Sequence, residues 1–368
     1  METAPSLTTA LSQQLQEVIR ANGGWLGFGR VMELALYSPG SGYYSGERQK
    51  FGLFPSAAGS DFVTAPEMSP FFGRALAAQV VQALQATGTR AVWEFGAGSG
   101  ALAGQLLESL GEAVDEYVIV DLSGSLRQRQ MARLAPFASK LRWVTELPQQ
   151  IEAVVIGNEL LDAMPVTLLA RMGGHWHERG VGLDELGEFV WQDRATRLRP
   201  PLDVAGTHDY LTEIHPQAEA FVRTLLQSLQ RGVLLLVDYG FPEREYYHAQ
   251  RSMGTLVCHQ AHSVDADPLT QVGAKDITAH VNFTGLALAA QEAVPEGLTL
   301  LGYTSQARFL MNCGMPELLQ GASLQQRVMA QKLVMEHEMG ELFKVIAWCR
   351  GEPWDAIGFA QGDRSATL

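Results

Sequence analysis

Residues 92–100, VWEFGAGSG, constrain the fold of this chain more than any other segment. An apolar run that ends in alternating glycines is typical of a β-strand that turns sharply into a helix. Gly96, Gly98 and Gly100 lack a Cβ, so they can adopt positive φ and let a ligand lie directly on the backbone. The helix predicted over 101–110 directs its unpaired N–H groups and the positive end of its dipole to the same place. The segment therefore predicts a ligand-binding turn.

The spacing of the glycines distinguishes between two kinds of ligand. A dinucleotide-binding turn has the pattern G-x-G-x-x-G, whereas this turn is G-x-G-x-G with Glu94 two residues before it. The shorter spacing favours S-adenosylmethionine, which has no phosphates to neutralise but has a cationic amino group and a sulfonium that an acidic strand end can face. A glycine-rich turn can also serve packing alone, so the triplet by itself leaves both interpretations open.

A second predicted strand adds an acid at the expected place. Residues 117–121, YVIVD, form an apolar run that ends in Asp121, 25 residues after Gly96. A carboxylate after the second strand of a Rossmann-type unit can bind both ribose hydroxyls. Asp121 can also cap the helix that begins near residue 123, and that role is compatible with binding. We therefore predict a cofactor site that includes Glu94, the three glycines and Asp121.

The composition is consistent with an enzyme built on one large α/β domain with additions. Its 368 residues, 46% of them hydrophobic, can bury a sizeable core. The net charge of −13 argues against nucleic acid as a partner, because no basic patch offsets repulsion from phosphates. Cys258, Cys313 and Cys349 are too far apart for a disulfide framework or a metal site, so we interpret them as core thiols and predict no metal.

The N-terminal segment METAPSLTTALSQQLQEVIR contains Arg20 as its only cation, which is not typical of a signal or transit peptide. No apolar run approaches the roughly 18 residues that span a bilayer. We expect a cytoplasmic protein without direct membrane insertion, which would contact a membrane complex through a protein partner.

Periodicity along the chain predicts a doubly wound sheet with an insertion. Helices are expected over 7–21, from Pro70 with Ser69 as its N-cap, over 124–138 and near 305–338, and the Gly, Ser and Tyr-rich residues 23–59 are expected to form an ordered loop region. Strands are expected over 141–144, 153–157, 232–239 and 342–349, whereas alternation over 166–191 indicates antiparallel strands. The predicted segments are 1–88 (helical and loop region contributing to the site), 89–167 (cofactor-binding half), 168–228 (inserted β-rich subdomain), 229–351 (remainder of the domain) and 352–368 (tail).

Five segments together resemble one family. They are GSDFVTAPEMSPFFG at 59–73, EFGAGSG at 94–100, NELLDAMPV at 158–166, VDYG at 237–240 and DPLTQVGAKDITAHVNF at 267–283. In this combination the chain resembles the MidA family of class I S-adenosylmethionine-dependent methyltransferases, from about residue 37 to the last strand. Ala97 stands where relatives usually have proline, and Asn282 where an aspartate is common, which argues against residue 282 as a base.

The resemblance implies a fold, an activity and a kind of partner. The fold would be α/β, a Rossmann-like class I methyltransferase sheet with a helical N-terminal region and an inserted, mainly antiparallel subdomain. Mitochondrial members are complex I assembly factors that methylate an arginine of a core subunit. We therefore expect a protein arginine methyltransferase whose client is a protein such as a respiratory-complex subunit, although the client need not be the same.

The resemblance also extends the predicted cofactor site. Asp61, Thr64, Pro66 and Glu67 match the family's N-terminal motif, which is expected to close over the cofactor, although Glu67 can instead belong to a helix start. Asn158, at the end of the fourth strand, is expected on the cofactor side of the site.

Acids after the fourth strand are the predicted substrate contacts. Glu159 and Asp162 follow that strand at its carboxyl end, where open α/β sheets bind ligands, and they could hold a guanidinium through charge-assisted hydrogen bonds. Their alternative role is to organise the strand-to-helix turn. The pattern D-x-T-x-H at 276–280 would place three side chains on one strand face toward the site. His280 is the candidate substrate contact or base, or else a hydrogen-bonded structural histidine.

Two other classes of function stay open from the sequence. A nicotinamide-dependent oxidoreductase would share the sheet, but the glycine spacing does not support it and no hydride-transfer set is evident. A non-catalytic assembly factor that binds S-adenosylmethionine or a client structurally would have the same glycine turn.

Overall fold

The computed structural model describes residues 7–45, 64–121, 124–260 and 263–368. Elements are numbered in chain order within these ranges. The strands are β1 (Trp25–Gly27), β2 (Ala91–Phe95), β3 (Glu116–Val120), β4 (Leu141–Val144), β5 (Ile151–Asn158), β6 (Thr167–Met172), β7 (His175–Leu183), β8 (Phe189–Ala195), β9 (Tyr210–Ile214), β10 (Leu229–Phe241), β11 (Val257–Gln260), β12 (Ser263–Asp265), β13 (Asp276–Thr278), β14 (Val281–Asn282), β15 (Leu298–Ser305) and β16 (Phe343–Arg350).

The α-helices within the same ranges include the helix predicted over 7–21 and the helices predicted near 305–338. They are α1 (Leu7–Ala21), α2 (Phe28–Tyr37), α3 (Ala65–Met68), α4 (Pro70–Thr87), α5 (Ala101–Leu110), α6 (Gly124–Arg133), α7 (Pro216–Ser228), α8 (Glu243–Tyr246), α9 (Phe283–Ala293), α10 (Gln306–Asn312), α11 (Met315–Leu318) and α12 (Leu324–Lys332). None of them is both long enough and apolar enough to cross a membrane.

The central sheet has the order β4-β3-β2-β5-β10-β16-β15, and β14 pairs with the end of β10. The five strands from β4 to β10 are parallel, whereas β16 is antiparallel to both its neighbours. The chain leaves β2 toward β3 and β4, then returns to form β5 on the other side of β2. This reversal is a topological switch point, and in such sheets ligands bind outside the carboxyl ends of the strands there. The predicted Rossmann-like α/β fold is confirmed.

Both faces of the sheet are covered, which explains why its middle strands read as continuous apolar runs. On one face α4 and α5 pack through side chains such as Leu76 and Leu106. On the other face α7 and α9 pack through side chains such as Val222 and Phe283. The predicted N-cap of α4 is present, because the Ser69 hydroxyl oxygen accepts the Phe71 N–H at 3.3 Å.

A second, antiparallel sheet has the order β1-β7-β6-β9, with β8 paired to the other side of β7. Most of it comes from the predicted antiparallel region, but β1 belongs to the N-terminal part of the chain. The helix α7, which ends that region in sequence, packs on the central sheet instead. The division of the chain into five segments stays a prediction.

The expectation of a loop region from residue 23 was wrong for residues 25–37, which form β1 and α2. The strand β1 pairs with β7, and α2 buries Phe28, Val31 and Met32 in the core beneath the antiparallel sheet. Residues 28–37 contain one glycine and no serine, so the glycine- and serine-rich composition of 23–59 as a whole does not describe them. The predicted helix 124–138 is also shorter, since α6 ends at Arg133 and a 3₁₀ segment with Pro136 follows.

A third, small sheet has the order β12-β11-β13. The strand β13 leads directly to β14, which pairs in parallel with the end of β10. Residues 276–282 are therefore brought to the carboxyl edge of the central sheet, where the switch point lies.

Candidate active site

The glycine turn between β2 and α5 needs all three of its glycines. Gly96, Gly98 and Gly100 have φ of 68°, 53° and 80°, a region that other residues rarely adopt. A Cβ on Gly96 would also lie 3.0 Å from Cδ1 of Leu160, which follows β5. The turn thus brings the backbone after β2 close to the end of β5.

A buried glutamine joins the turn to the acid after β3. The side-chain amide of Gln130, on α6, donates to the Gly98 carbonyl at 3.0 Å and to Asp121 Oδ2 at 2.8 Å, while its oxygen accepts the Trp143 indole N–H at 2.9 Å. Gln130 is fully buried, so it fixes the position of the Asp121 carboxyl relative to the turn. Sequence reasoning missed Gln130, because nothing in the polar run around it distinguishes it from its neighbours.

Glu94 lies one residue before the end of β2 and is buried. The Tyr117 hydroxyl donates to its Oε2 at 2.6 Å. Burial raises the pKa of Glu94 to about 7, and the hydrogen bond from Tyr117 opposes that increase.

The short helix α3 lies over the glycine turn and is tied there at three points. The Ala65 N–H donates to Glu159 Oε1 at 3.2 Å, and the Gln105 amide donates to the Pro66 carbonyl at 2.7 Å. Glu67 contacts the Ser99 hydroxyl and pairs with Arg133 at 2.8 Å. Asp61, predicted to belong to the same motif, lies outside the described residues.

A cavity of about 1410 Å³ opens at the switch point, along the carboxyl ends of β2, β5 and β10. It is bounded by most of the predicted site residues. Those that line it are Thr64, Pro66, Glu94, Gly96, Gly98, Asp121, Asn158, Glu159, Asp162 and His280. Gly100 instead caps α5, and Glu67 forms the ion pair with Arg133.

The turn after β5 places an amide and a carboxyl side by side. Asn158 Nδ2 donates to Glu159 Oε1 at 3.1 Å, whereas Asn158 Oδ1 is buried without a hydrogen-bond partner. Glu159 has φ of 49°, which is uncommon outside glycine. A buried carbonyl oxygen without a donor is costly, so Asn158 is suited to accept a hydrogen bond from a ligand.

Asp238 stabilises this turn from β10. Its Oδ2 accepts the backbone N–H groups of Leu160, Leu161 and Asp162 at 3.1, 2.8 and 3.3 Å. Asp238 is 1% exposed and is not among the residues that line the cavity. It therefore organises the turn after β5.

The acids after β5 are held in unfavourable surroundings for a charge. Burial raises the pKa of Glu159 to about 8, the charge of Asp162 adds to that increase, and the N–H groups of Ala65 and Asn158 oppose it. Burial likewise raises the pKa of Asp162, against a hydrogen bond from the Tyr239 hydroxyl. A cation beside this pair would favour both ionised forms.

Residues from three distant parts of the chain form the opposite wall. The Tyr44 hydroxyl donates to Asp276 Oδ1 at 2.8 Å, and the Tyr37 hydroxyl donates to the Ala163 carbonyl at 2.8 Å. The two tyrosine rings stack with centroids 5.6 Å apart. The tyrosine-rich run YSPGSGYYSG was the available signal for these two residues, which sequence reasoning did not assign to the site.

Asp276, Thr278 and His280 all line the cavity, although β13 ends at Thr278 and His280 follows it. The His280 ring packs edge-on against Tyr239, with centroids 5.2 Å apart. Burial lowers the pKa of His280 to about 4, and the charges of Arg251 and Lys344 lower it further. Its Nδ1 is buried without a partner, so His280 is neutral at pH 7 with a ring nitrogen available.

The lining is strongly acidic. Among the described residues that line the cavity there is no lysine or arginine, while six carboxyl side chains are present, namely Glu33, Glu94, Asp121, Glu159, Asp162 and Asp276. A cavity walled by one sign of charge concentrates ligands of the opposite sign. Within the described ranges, no group of three or more His, Cys, Asp or Glu side chains is arranged to hold a metal.

Comparison with known proteins identifies a family model and close structural neighbours. Residues 75–304 match the model described as putative S-adenosyl-L-methionine-dependent methyltransferase. A likely methyl transferase from Burkholderia thailandensis, solved bound to S-adenosyl-homocysteine, is 48% identical with a TM-score of 0.94, and each chain covers 100% of the other. Protein arginine methyltransferase NDUFAF7 from human mitochondria is 26% identical over 85% of this chain and 75% of that protein. The Caenorhabditis elegans homolog is also 26% identical, over 86% and 79%.

The residues of the cavity fit S-adenosylmethionine. Asp121 beside the glycine turn offers a carboxylate for ribose hydroxyls, and Asn158 Oδ1 offers an acceptor that lacks a donor in the chain. Glu94 offers a buried carboxyl group beside the glycine turn, and a cationic amino group or sulfonium there would favour its ionised form.

The first prediction concerns cofactor affinity. We expect Asp121→Asn to weaken S-adenosylhomocysteine binding by roughly 10- to 100-fold, because the amide loses one charge-assisted acceptor. Titration calorimetry measures the change. Asp115→Asn, at the exposed opposite end of β3, is the matched control and should bind as wild type does. Unchanged affinity in Asp121→Asn would contradict the ribose assignment.

The second prediction concerns pH. The pKa of Glu159 in the fold is about 8, against an ordinary value of 4.5. The contribution of protonated Glu159 to the free energy of unfolding is therefore fully present below its unfolded-state pKa of 4.5, and it is lost as the pH rises through about 8. Without ligand, we expect Glu159→Gln to be more stable than wild type by at least about 1 kcal/mol near pH 8.5, with the difference vanishing toward pH 4.5.

Denaturant unfolding at several pH values measures this difference in the free energy of unfolding. Glu146→Gln, on an exposed nearby loop, should follow wild type at every pH. If the free energy of unfolding of Glu159→Gln exceeds that of wild type by the same amount at every pH, ionisation of Glu159 is not the cause of the difference.

Proposed function

Because the chain belongs to the family of putative S-adenosyl-L-methionine-dependent methyltransferases, we propose that it methylates an arginine side chain of a client protein. The resemblance to the MidA family and the expected cofactor, S-adenosylmethionine, are confirmed by the family match and by the neighbour bound to S-adenosyl-homocysteine. The arginine substrate is supported by relatives named as protein arginine methyltransferases, at 26% identity.

The acidic lining is the main observation that supports a cationic substrate. Glu159 and Asp162 line the cavity from the turn after β5 and Asp276 from β13, and no lysine or arginine is among the lining residues that the structure describes. A guanidinium can donate to several carboxylates at once through a planar set of N–H groups. An anionic substrate would meet no lysine or arginine among the described lining residues, which favours arginine over carboxylate or phosphate acceptors.

Glu159 has one carboxylate oxygen committed and one left for substrate. Its Oε1 accepts the Ala65 N–H and the Asn158 amide. We assign Oε2 to a guanidinium N–H. A bound guanidinium lowers the pKa of this carboxyl from about 8, so that Glu159 is ionised at neutral pH only when its substrate is present.

S-adenosylmethionine, when bound, supplies an electrophilic methyl group on its sulfonium. Glu159 and Asp162 orient the guanidinium nitrogen toward that methyl, which converts an encounter between two molecules into a positioned reaction. As the nitrogen forms its bond to the methyl carbon, the carbon–sulfur bond would break and the electron pair would stay on the sulfur of S-adenosylhomocysteine. The nitrogen must also lose a proton, because the methylated guanidinium would otherwise carry two positive charges. Glu159 Oε2 is the acceptor that we propose for that proton.

His280 has a narrower proposed role. Its pKa is about 4 and its Nδ1 has no partner, so at pH 7 it is a neutral acceptor. It lies in the wall of the cavity that also contains Tyr44 and Asp276, which we call the substrate wall. We propose that it contacts the substrate or passes the proton onward. A cytoplasmic location and a respiratory-complex subunit as client stay predictions.

The third prediction tests the reaction. Purified protein with methyl-labelled S-adenosylmethionine is added to a lysate of cells that lack it, and labelled protein is hydrolysed for amino-acid analysis. We expect a discrete labelled protein that yields methylarginine. Glu159→Gln and Asp162→Asn should reduce labelling by roughly 100-fold or more, because each removes a contact to the reacting group.

Controls separate chemistry from binding. Both variants should bind S-adenosylhomocysteine within a few-fold of wild type, and Glu146→Gln should label normally. Label recovered on lysine or on a small molecule would contradict arginine methylation. Cofactor binding without any labelling would instead favour a non-catalytic assembly factor.

A further inference from the structure

A buried carboxylate outside the cavity holds the segment that forms its substrate wall. Glu213, on β9 of the antiparallel sheet, is 0% exposed. Its Oε1 accepts the backbone N–H groups of Thr255 and Leu256 at 2.8 and 3.2 Å. Its Oε2 accepts the hydroxyls of Tyr246 and Thr255 at 2.8 and 3.1 Å. Four donors thus converge on one carboxyl group.

Burying a carboxylate is unfavourable unless its donors compensate for lost water. In the parts of the chain that the structure describes, Glu213 forms no ion pair with a lysine or arginine, and its partners are hydrogen-bond donors. A hydrophobic residue would fill such a position at lower cost if packing were its only role. The four donors around Glu213 therefore indicate that it positions the residues that carry them.

Thr255 connects this carboxyl group to the cavity. Its hydroxyl donates to Glu213 and accepts the backbone N–H of His280 at 3.0 Å. The Thr255 side chain itself lines the cavity. The main chain of His280 is therefore fixed by a residue whose own position is set by Glu213.

The other side of the His280 peptide is held by the same cluster. His215 Nε2 donates to the His280 carbonyl at 2.8 Å, and the Tyr246 hydroxyl lies 3.3 Å from that nitrogen. Both peptide groups of His280 are thus fixed, while its ring nitrogen Nδ1 keeps no partner. The ring is held in place by its backbone and stays available to a ligand.

The main chain near Gly254 packs closely against Glu213. A Cβ on Gly254, which has φ of +70°, would lie 2.4 Å from Glu213 Oε1. The main chain of 253–256 therefore approaches the carboxyl group as closely as glycine allows.

We infer that Glu213 is a positioning residue of the reaction, acting through Thr255 to set the place of His280 in the substrate wall. Glu213 belongs to the antiparallel sheet and His280 to the segment between β13 and β14, so this cluster links the added sheet to the chemistry. The inference rests on the proposed function for its kinetic consequence, but its structural consequence can be measured without turnover.

The test removes the hydroxyl that links the two residues while keeping side-chain shape. Thr255→Val deletes the acceptor for the His280 N–H, and Thr255→Ser retains it. Glu213→Gln keeps the shape but replaces one acceptor oxygen by a donor. Thr212→Val, an isosteric change at the neighbouring buried position on β9, is the matched control.

Two readouts are used on each variant. Carbon-13 NMR of labelled histidine rings, with S-adenosylhomocysteine bound and no substrate, reports on His280, whose signal is assigned by its loss in His280→Gln. Steady-state kinetics on the labelled client gives kcat and KM.

We expect Thr255→Val and Glu213→Gln to shift the His280 signal and to lower kcat by roughly 10-fold or more. Thr255→Ser and Thr212→Val should match wild type, and all four should bind S-adenosylhomocysteine within about twofold.

An unshifted His280 signal and unchanged kcat in Thr255→Val would overturn the inference, as would a defect in Thr255→Ser equal to that in Thr255→Val. If Glu213→Gln does not fold, the Thr255 pair still decides the question. Failure of wild type to methylate arginine would contradict the proposed function, and the NMR readout would continue to test the inference.

Discussion

The accumulation of carboxyl groups at one edge of the central sheet is the constraint on which the rest of the structure depends. Glu94, Asp121, Glu159 and Asp162 all follow or end parallel strands that meet there, and burial raises the pKa of three of them. Such a site is unfavourable when empty and becomes favourable when cations neutralise it. The cofactor has an amino group and a sulfonium, and an arginine has a guanidinium, so the ligands that the reaction requires are also those that stabilise the site.

The fold explains how residues far apart in sequence reach one cavity. The switch point between β2 and β5 supplies the part of the cavity beside the glycine turn, whereas added elements complete the opposite wall. The N-terminal segment supplies Tyr37 and Tyr44, and residues 276–280 arrive through the small third sheet. The helix α3 is tied to the glycine turn through Glu67 and Ser99, and to Glu159 through the Ala65 N–H. It therefore links the glycine turn to the turn after β5, which couples the geometry of the two.

Local patterns made part of this predictable from sequence. The glycine turn, Asp121 and the acids after β5 follow from strand ends and backbone freedom, and the apolar runs give the order of strands and helices. Long-range contacts could not be read in this way, because Tyr44 and Asp276 are 232 residues apart and nothing local relates them. Gln130 and Glu213 act through buried hydrogen bonds that have no sequence signature. The helix α2 was missed because it lies within a longer glycine- and serine-rich segment, although Val31, Met32 and Ala35 recur with helical spacing.

The most direct measurement of the central claim is the binding of small probes to the protein with S-adenosylhomocysteine present. Ethylguanidinium, neutral ethylurea and anionic propionate have similar sizes, and their dissociation constants can be compared by NMR titration. An acidic site built for a guanidinium predicts that ethylguanidinium binds wild type most tightly, and that the doubly substituted Glu159→Gln, Asp162→Asn protein loses this preference. Equal binding of all three probes, or a preference for the cation that persists without both carboxylates, would contradict the account.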